Sequence, residues 1–292
     1  MTKPTGATAS PAINAAGKAK TSKNAKRIVV FADEFNAPSL DRETWNVCRP
    51  DFWVNDELQA YIDDPETIRI LPDGTIEGAT GGVLELRALY RPDGFVTPTG
   101  RTAHFVSGRI NSQDKFEITH GRVEARMRLP DLEGVWPAFW MLGNGEWPET
   151  GEIDIMEYVG EPDWVGVALH GPGYSGDTPI VNKYFFPAGE DVTSWHVYAV
   201  EWTSNSVEFL VDDRLVYRAT RTMVEAYGEW RFDTPKHLIL NLAIGGVYPA
   251  KTNGIKSPLY GLPQSSADHI AEHGTAIQID WVRVTQADET VK

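Results

Sequence analysis

Glu152, Asp154 and Glu157 fall in one short apolar run, Gly151-Glu-Ile-Asp-Ile-Met-Glu157-Tyr-Val-Gly160. Ile153, Ile155 and Val159 make that run a strand. Side chains alternate along a strand, so Glu152 and Asp154 share one face while Ile153 and Ile155 take the other. On a regular strand Glu157 would join the isoleucines and bury a charge among apolar groups. One extra residue, a β-bulge near Ile155 and Met156, returns it to the face of the other two acids. Glu152 and Glu157 then stand about four strand steps apart, roughly 13 Å between Cα atoms. Side chains leaning inward bring their carboxyl groups to roughly 5–6 Å, a spacing at which one carboxylate attacks a sugar and the other protonates the leaving oxygen. Asp154 between them raises the proton affinity of its neighbours by like-charge repulsion and can share a hydrogen bond with the attacking group. A solvated acidic strand face, or part of a cation site, would use the same residues.

Such a strand needs a scaffold. From Ile28 onward the chain reads as short strands separated by Gly, Pro, Asn and Asp, among them 82–89, 121–129, 165–170, 195–202, 206–211, 237–243 and 276–285. Several alternate apolar and polar residues, as in Val123-Glu-Ala-Arg-Met-Arg-Leu129. The one stretch with helical character is short, over 221–227, and residues 251–274 read as a long connector containing Asp268, His269 and His273. Regular short strands with turn signals predict an all-β sandwich or jelly roll.

The 292 residues suffice for one large core, and a single domain is expected over residues 28–288. Residues 1–27 carry six basic residues and no acid, with few large apolar side chains, and read as a disordered basic tail. Taking those six positive charges from the net −14 leaves about −20 on the remainder, which repels nucleic acid and other polyanions. One cysteine, Cys48, excludes an intrachain disulfide framework and a cysteine-rich metal cluster. No apolar stretch reaches membrane-spanning length, and no signal peptide is visible at the N-terminus.

The acid strand also resembles the signature of glycoside hydrolase family 16, in the branch with the extra bulge residue that includes laminarinases, β-agarases, κ-carrageenases and porphyranases. Further segments are similar to bacterial laminarinases: Phe31-Ala-Asp-Glu-Phe35, Asn55-Asp-Glu-Leu-Gln-Ala-Tyr61, Ser107-Gly-Arg-Ile110 and Gly121-Arg-Val-Glu-Ala-Arg126. So are Trp136-Pro-Ala-Phe-Trp-Met-Leu142, Trp195-His-Val-Tyr-Ala-Val-Glu-Trp202, Asn241-Leu-Ala-Ile-Gly-Gly246 and Ile279-Asp-Trp-Val-Arg-Val284. The resemblance implies a concanavalin A-like β-jelly-roll of two curved antiparallel sheets whose concave face is the substrate cleft. It implies Glu152 as nucleophile, Asp154 as its electrostatic partner and Glu157 as general acid/base.

Trp136 and Trp140 are four apart on one strand face, and sugar rings present flat C–H faces that stack on aromatic rings. By the resemblance these two and Trp147 line the subsites just before the scissile bond, Asn55 and Arg109 bond sugar hydroxyls, and His170 sits beside the carboxylates. Read alone, Asn55 is a turn residue, Arg109 a surface ion pair and His170 a half-buried histidine. Trp45, Trp195, Trp202 and Trp281 suit the core. Relatives hold a structural calcium away from the cleft; the matching positions are Glu34, the Gly82 carbonyl and Asp280. Gly246-Val-Tyr-Pro-Ala departs from the Asn-Trp-Pro-Gly of laminarinases and alters one cleft wall.

The leading expectation is a monomeric, secreted or periplasmic, retaining endo-β-1,3-glucanase acting on laminarin-type β-glucan without an organic cofactor. A hydrolase of mixed-linkage β-1,3-1,4-glucan or agarose is the alternative within the class. A non-catalytic glucan-binding module is the alternative outside it, weakened by three mutually repelling acids that binding alone does not need.

Overall fold

The computed structural model describes residues 26–288. The tail expected over residues 1–27 lies outside them except at its end, where Arg27 opens the first strand. The strands are β1 (Arg27–Asp33), β2 (Asn46–Val47), β3 (Gln59–Tyr61), β4 (Ile68–Leu71), β5 (Val83–Val96), β6 (Thr102–Ser107), β7 (Arg109–Asn111), β8 (Glu117–Ile118) and β9 (Gly121–Arg128). They continue as β10 (Val135–Leu142), β11 (Glu152–Glu157), β12 (Trp164–His170), β13 (Ile180–Phe185), β14 (His196–Trp202), β15 (Ser206–Val211), β16 (Arg214–Thr220), β17 (Lys236–Ile244) and β18 (Thr275–Ala287). Three short helices interrupt them: α1 (Arg221–Glu225), α2 (Val247–Asn253) and α3 (Gln264–His273).

Two sheets form. One orders β16-β15-β14-β9-β18-β5-β6-β3, with β1 beside β18 and β4 beside β5. The other orders β13-β12-β11-β10-β17-β7-β2, with β8 beside β17, and all its pairings are antiparallel. Alternation decides what each strand buries. Val123, Ala125 and Met127 of β9 turn into the same core as Phe139 and Met141 of β10 and Ile153 and Ile155 of β11. This is the expected jelly-roll sandwich, antiparallel except where β3 lies parallel to β6.

Trp45, Trp202 and Trp281 are buried, as their positions suggested. Trp195 is not in the core. It lies on the surface beside the Arg126 and Arg128 guanidinium groups, 4.9 and 5.3 Å from its ring, because its neighbour His196 takes the inward position at the start of β14. The 251–274 segment also departs from expectation: it holds the end of α2 and all of α3. α3 buries only Ser266, Ala267 and Ile270, a stripe too narrow to stand out in the sequence. His269 and His273 sit one turn apart and pack on each other at 5.1 Å, while Asp268 accepts from Gln264 at 2.8 Å, so these residues form no metal cluster.

The residues expected to hold calcium fold into other contacts. Both Glu34 oxygens accept from Arg283, at 2.7 and 2.9 Å. Asp280, 1% exposed, accepts from the Thr80 amide at 2.8 Å, the Thr80 hydroxyl at 2.9 Å and the Arg126 guanidinium. The Gly82 amide donates to Asn36 at 2.9 Å. Each carboxylate already faces an arginine cation, so the donor set as folded does not fit a calcium ion. Among the described residues no helix is long and apolar enough to cross a membrane.

Candidate active site

The ladder of β11 explains the site. Asp154 pairs with Trp140 and Ala168, and Glu157 with Ala138 and Gly166, so three steps along β11 match two along each neighbour. The extra residue is the β-bulge expected from the sequence. Ile155 and Met156 both turn into the core, at 1% and 0% exposure, and Glu157 returns to the face of Glu152 and Asp154. Gly151, at φ 69°, opens the strand with no room for a side chain: a Cβ there would lie 2.7 Å from the Arg231 carbonyl.

Paired residues of an antiparallel sheet project on the same side. One row across the face turned away from the core therefore runs Gly166, Glu157, Ala138, Asn241 and Arg109. The next runs Ala168, Asp154, Trp140, Ile239 and Asn111. A third holds His170, Glu152, Leu142 and His237.

Each acid has its own partners. The Trp147 indole donates to Glu152 Oε2 and the Trp136 indole to Glu157 Oε1, both at 3.0 Å. His170 Nε2 lies 3.3 Å from Asp154 Oδ2 and 3.7 Å from Glu152 Oε1. One polar atom from each of Glu152, Asp154 and His170 falls within 4.8 Å of the others. Burial, and then the Asp154 charge, push the Glu152 carboxyl well above the usual carboxylate range, while His170 and the Trp147 N–H oppose them. Burial and the Glu157 charge do the same to Asp154. Glu157 is raised by burial, against His170 and the Trp136 N–H. Three buried carboxyls of this kind do not all ionise together, so the site retains protons for acid catalysis.

Of the remaining expected residues, Trp140 and Arg109 lie on the same face toward β17 and β7. Trp140 donates to Asn241 Oδ1 at 2.8 Å, and Asn241 Nδ2 to the Tyr61 hydroxyl at 3.3 Å. Arg109 is buried rather than in a surface ion pair, its guanidinium 4.2 Å from the Phe52 ring centre and 4.9 Å from that of Trp140. Asn55 is exposed in a left-handed conformation at φ 55°, and its amide reaches Glu57 at 3.4 Å.

Sequence reasoning passed over three residues here. Glu57 is buried, bonded to Gln59 at 2.7 Å, and sits near Arg109. The two-residue spacing of Glu57, Gln59 and Tyr61 was its signal. Asn241 looks in the sequence like one more residue of an apolar strand. Tyr248 of α2 packs edge-on against Trp136 at 5.5 Å, which is how the Gly246-Val-Tyr-Pro-Ala segment reshapes the cleft wall. Burial and the charges of Glu157 and Asp154 raise its phenol, so it stays a hydrogen-bond donor.

Comparison with known proteins agrees with this arrangement. The family described as glycosyl hydrolases family 16 matches residues 82–283. A beta-glucanase of Rhodothermus marinus is 37% identical over 237 residues, 75% of this chain and 76% of that protein. Glucan endo-1,3-beta-glucosidase A1 of Niallia circulans is 30% identical over 280 residues, 88% of this chain, and the chain spans 37% of that protein's length. The laminarinase catalytic domain from Thermotoga maritima MSB8 shares the fold with a TM-score of 0.75 at 32% identity, covering 90% of this chain and 99% of that one. By sequence and by fold, this chain belongs to glycosyl hydrolases family 16.

Proposed function

We propose that this protein is a retaining endo-β-1,3-glucanase that cuts laminarin-type glucan by double displacement. The observation that carries the reading is the bulged register of β11, which sets Glu152 and Glu157 on one cleft face with Asp154 and His170 beside the first of them. Glu152, held by the Trp147 N–H, is the nucleophile and forms the glycosyl-enzyme bond. Asp154, retaining a proton, steadies the Glu152 anion. Glu157, kept protonated by burial, gives its proton to the leaving oxygen and then takes one from the attacking water. The open face from β13 to β2 admits a chain along its length, which favours internal cuts. Trp136, Trp140, Trp147, Arg109, Asn55, Glu57 and Asn241 bind the sugars before the scissile bond. The protein acts as a monomer outside the cytoplasm, where such polymers occur.

Product sizing on laminarin, lichenan, agarose and κ-carrageenan, with proton NMR of the first-formed anomer, tests the reading. Laminarin is expected to yield a ladder of short products with retained configuration. An inverted anomer would refute the two-step mechanism, and preference for lichenan or agarose would move the substrate to the neutral alternatives. Sulfated carrageenan is expected to remain intact even at low salt, because the described part of the chain is strongly acidic.

A further inference from the structure

We infer that the catalytic face extends past Gly166 onto β13 as a binding site for the leaving-group end of the glucan chain, with Phe185 as its stacking platform. The inference rests on the glucanase reading for the kind of chain bound, and on the sheet register for its position. Lys183 pairs with Gly166 and Phe185 with Trp164, and Gly166 pairs with Glu157. Lys183 and Phe185 therefore project on the same side of the sheet as the general acid. They lie on the opposite flank of β11 from Trp140, Asn241 and Arg109. If the sugars before the scissile bond lie over β10, β17 and β7, the sugars after it pass over β12 and β13.

The surface there is built to receive something. β13 is an edge strand, and Phe185 stands 60% exposed on it, where an aromatic ring is a liability unless it is used. Beside it a groove of about 540 Å³ runs from Val159 and Gly160, just beyond the end of β11 that carries Glu157, to Asn253 of α2. That volume is within the range of sites for small ligands. The Lys183 ammonium sits 3.4 Å above the Trp164 ring centre, and the Trp164 N–H donates to Glu161, so both side chains are already placed. An aromatic face, one ammonium and several carboxylate and amide acceptors suit the C–H faces and hydroxyls of a neutral sugar. The Tyr248 hydroxyl stands over Gly166, where a Cβ would come 3.2 Å from it, and so borders the way from Glu157 to β13.

Phe185→Ala tests the site, with Phe185→Tyr as the conservative control. Two substrates are compared: laminarihexaose, labelled at its reducing end, and an aryl β-laminaritrioside, which places no sugar beyond the scissile bond. For Phe185→Ala, kcat/KM on the hexaose should fall roughly tenfold, the scale of one lost aromatic contact, and stay within about twofold on the aryl substrate. Cleavage should move toward the reducing end, since fewer sugars are held after the scissile bond, and Phe185→Tyr should restore both rate and pattern. An unchanged cleavage pattern, or equal losses on both substrates, would overturn the inference. If the wild-type protein leaves laminari-oligosaccharides uncut, the substrate reading fails by itself; the same comparison is then made on oligomers of the polysaccharide it does cut. If it cuts none, both readings fall.

Discussion

Glu157 has to be protonated when the glycosidic bond breaks, and its burial serves that need. Because its carboxyl is raised, it keeps its proton above the usual carboxylate range and loses it only as pH climbs through the raised value. Glu152 must be ionised, and its own raised carboxyl means activity falls as pH drops through that value. The profile of kcat/KM should be a bell displaced upward from ordinary carboxylates, with limbs that belong to the interacting carboxyls together. Glu157→Gln should cripple laminarin hydrolysis by about 10²–10⁴-fold, the scale of general acid–base catalysis. On an activated aryl glycoside the variant should lose far less in glycosylation, its alkaline limb should vanish, and azide should speed release of the glycosyl-enzyme. An alkaline limb that survives in Glu157→Gln would assign that titration to another group.

At the scale of elements, the bulge in β11 is the device that matters. It lets a sequence with three steps from Asp154 to Glu157 keep both carboxylates on one face and put the two apolar side chains between them into the core. Deleting Ile155 would leave a regular alternation with Glu157 still facing the cleft. The variant should therefore retain hydrolysis well above that of Glu152→Ser, while losing roughly 1.5–3 kcal/mol of stability for one buried isoleucine. Rates on laminarin and denaturant midpoints measure the two effects separately. A folded but inactive deletion variant would mean that the bulge sets the distance between the acids as well as their face. Trp140 and Arg109 show a related economy: the guanidinium lies near both the Trp140 and Phe52 rings, so one cation orders two aromatic walls of the cleft.

For the whole molecule, the two ends of the described chain are joined by ion pairs. Lys26 pairs with Asp288, and Glu34 just after β1 is clamped by Arg283 of β18; buried Asp280 of β18 is held in turn by Arg126 of β9. A chelator should thus leave the melting temperature unchanged. Arg126→Ala should cost about 3–5 kcal/mol, because it leaves a buried carboxylate without its cation. Calorimetry with and without EDTA, on wild type and variant, distinguishes this arrangement from a calcium clip: a large chelator effect on the wild type would restore the metal.

The acid strand was legible from sequence because period-two alternation leaves only one way to keep Glu157 out of the core, and a bulge is local chemistry. The all-β architecture followed in the same way from short alternating runs between turn residues. Other features depended on neighbours distant in the chain. Alternation on β13 shows that Val181, Lys183 and Phe185 share a face, but only pairing through β12 identifies it as the catalytic one. Glu57 joins the site through its place beside Arg109 of β7, and α3 is hard to see in the sequence because its buried stripe is so narrow. Trp195 looked like core because tryptophan often is, yet two arginines of another strand hold it at the surface. Glu34 and Asp280 looked like cation ligands, and they are, but folding places arginines against them. Local periodicity specifies which face of a strand a side chain takes; which strands lie alongside, and so which charges meet, is decided by the tertiary packing.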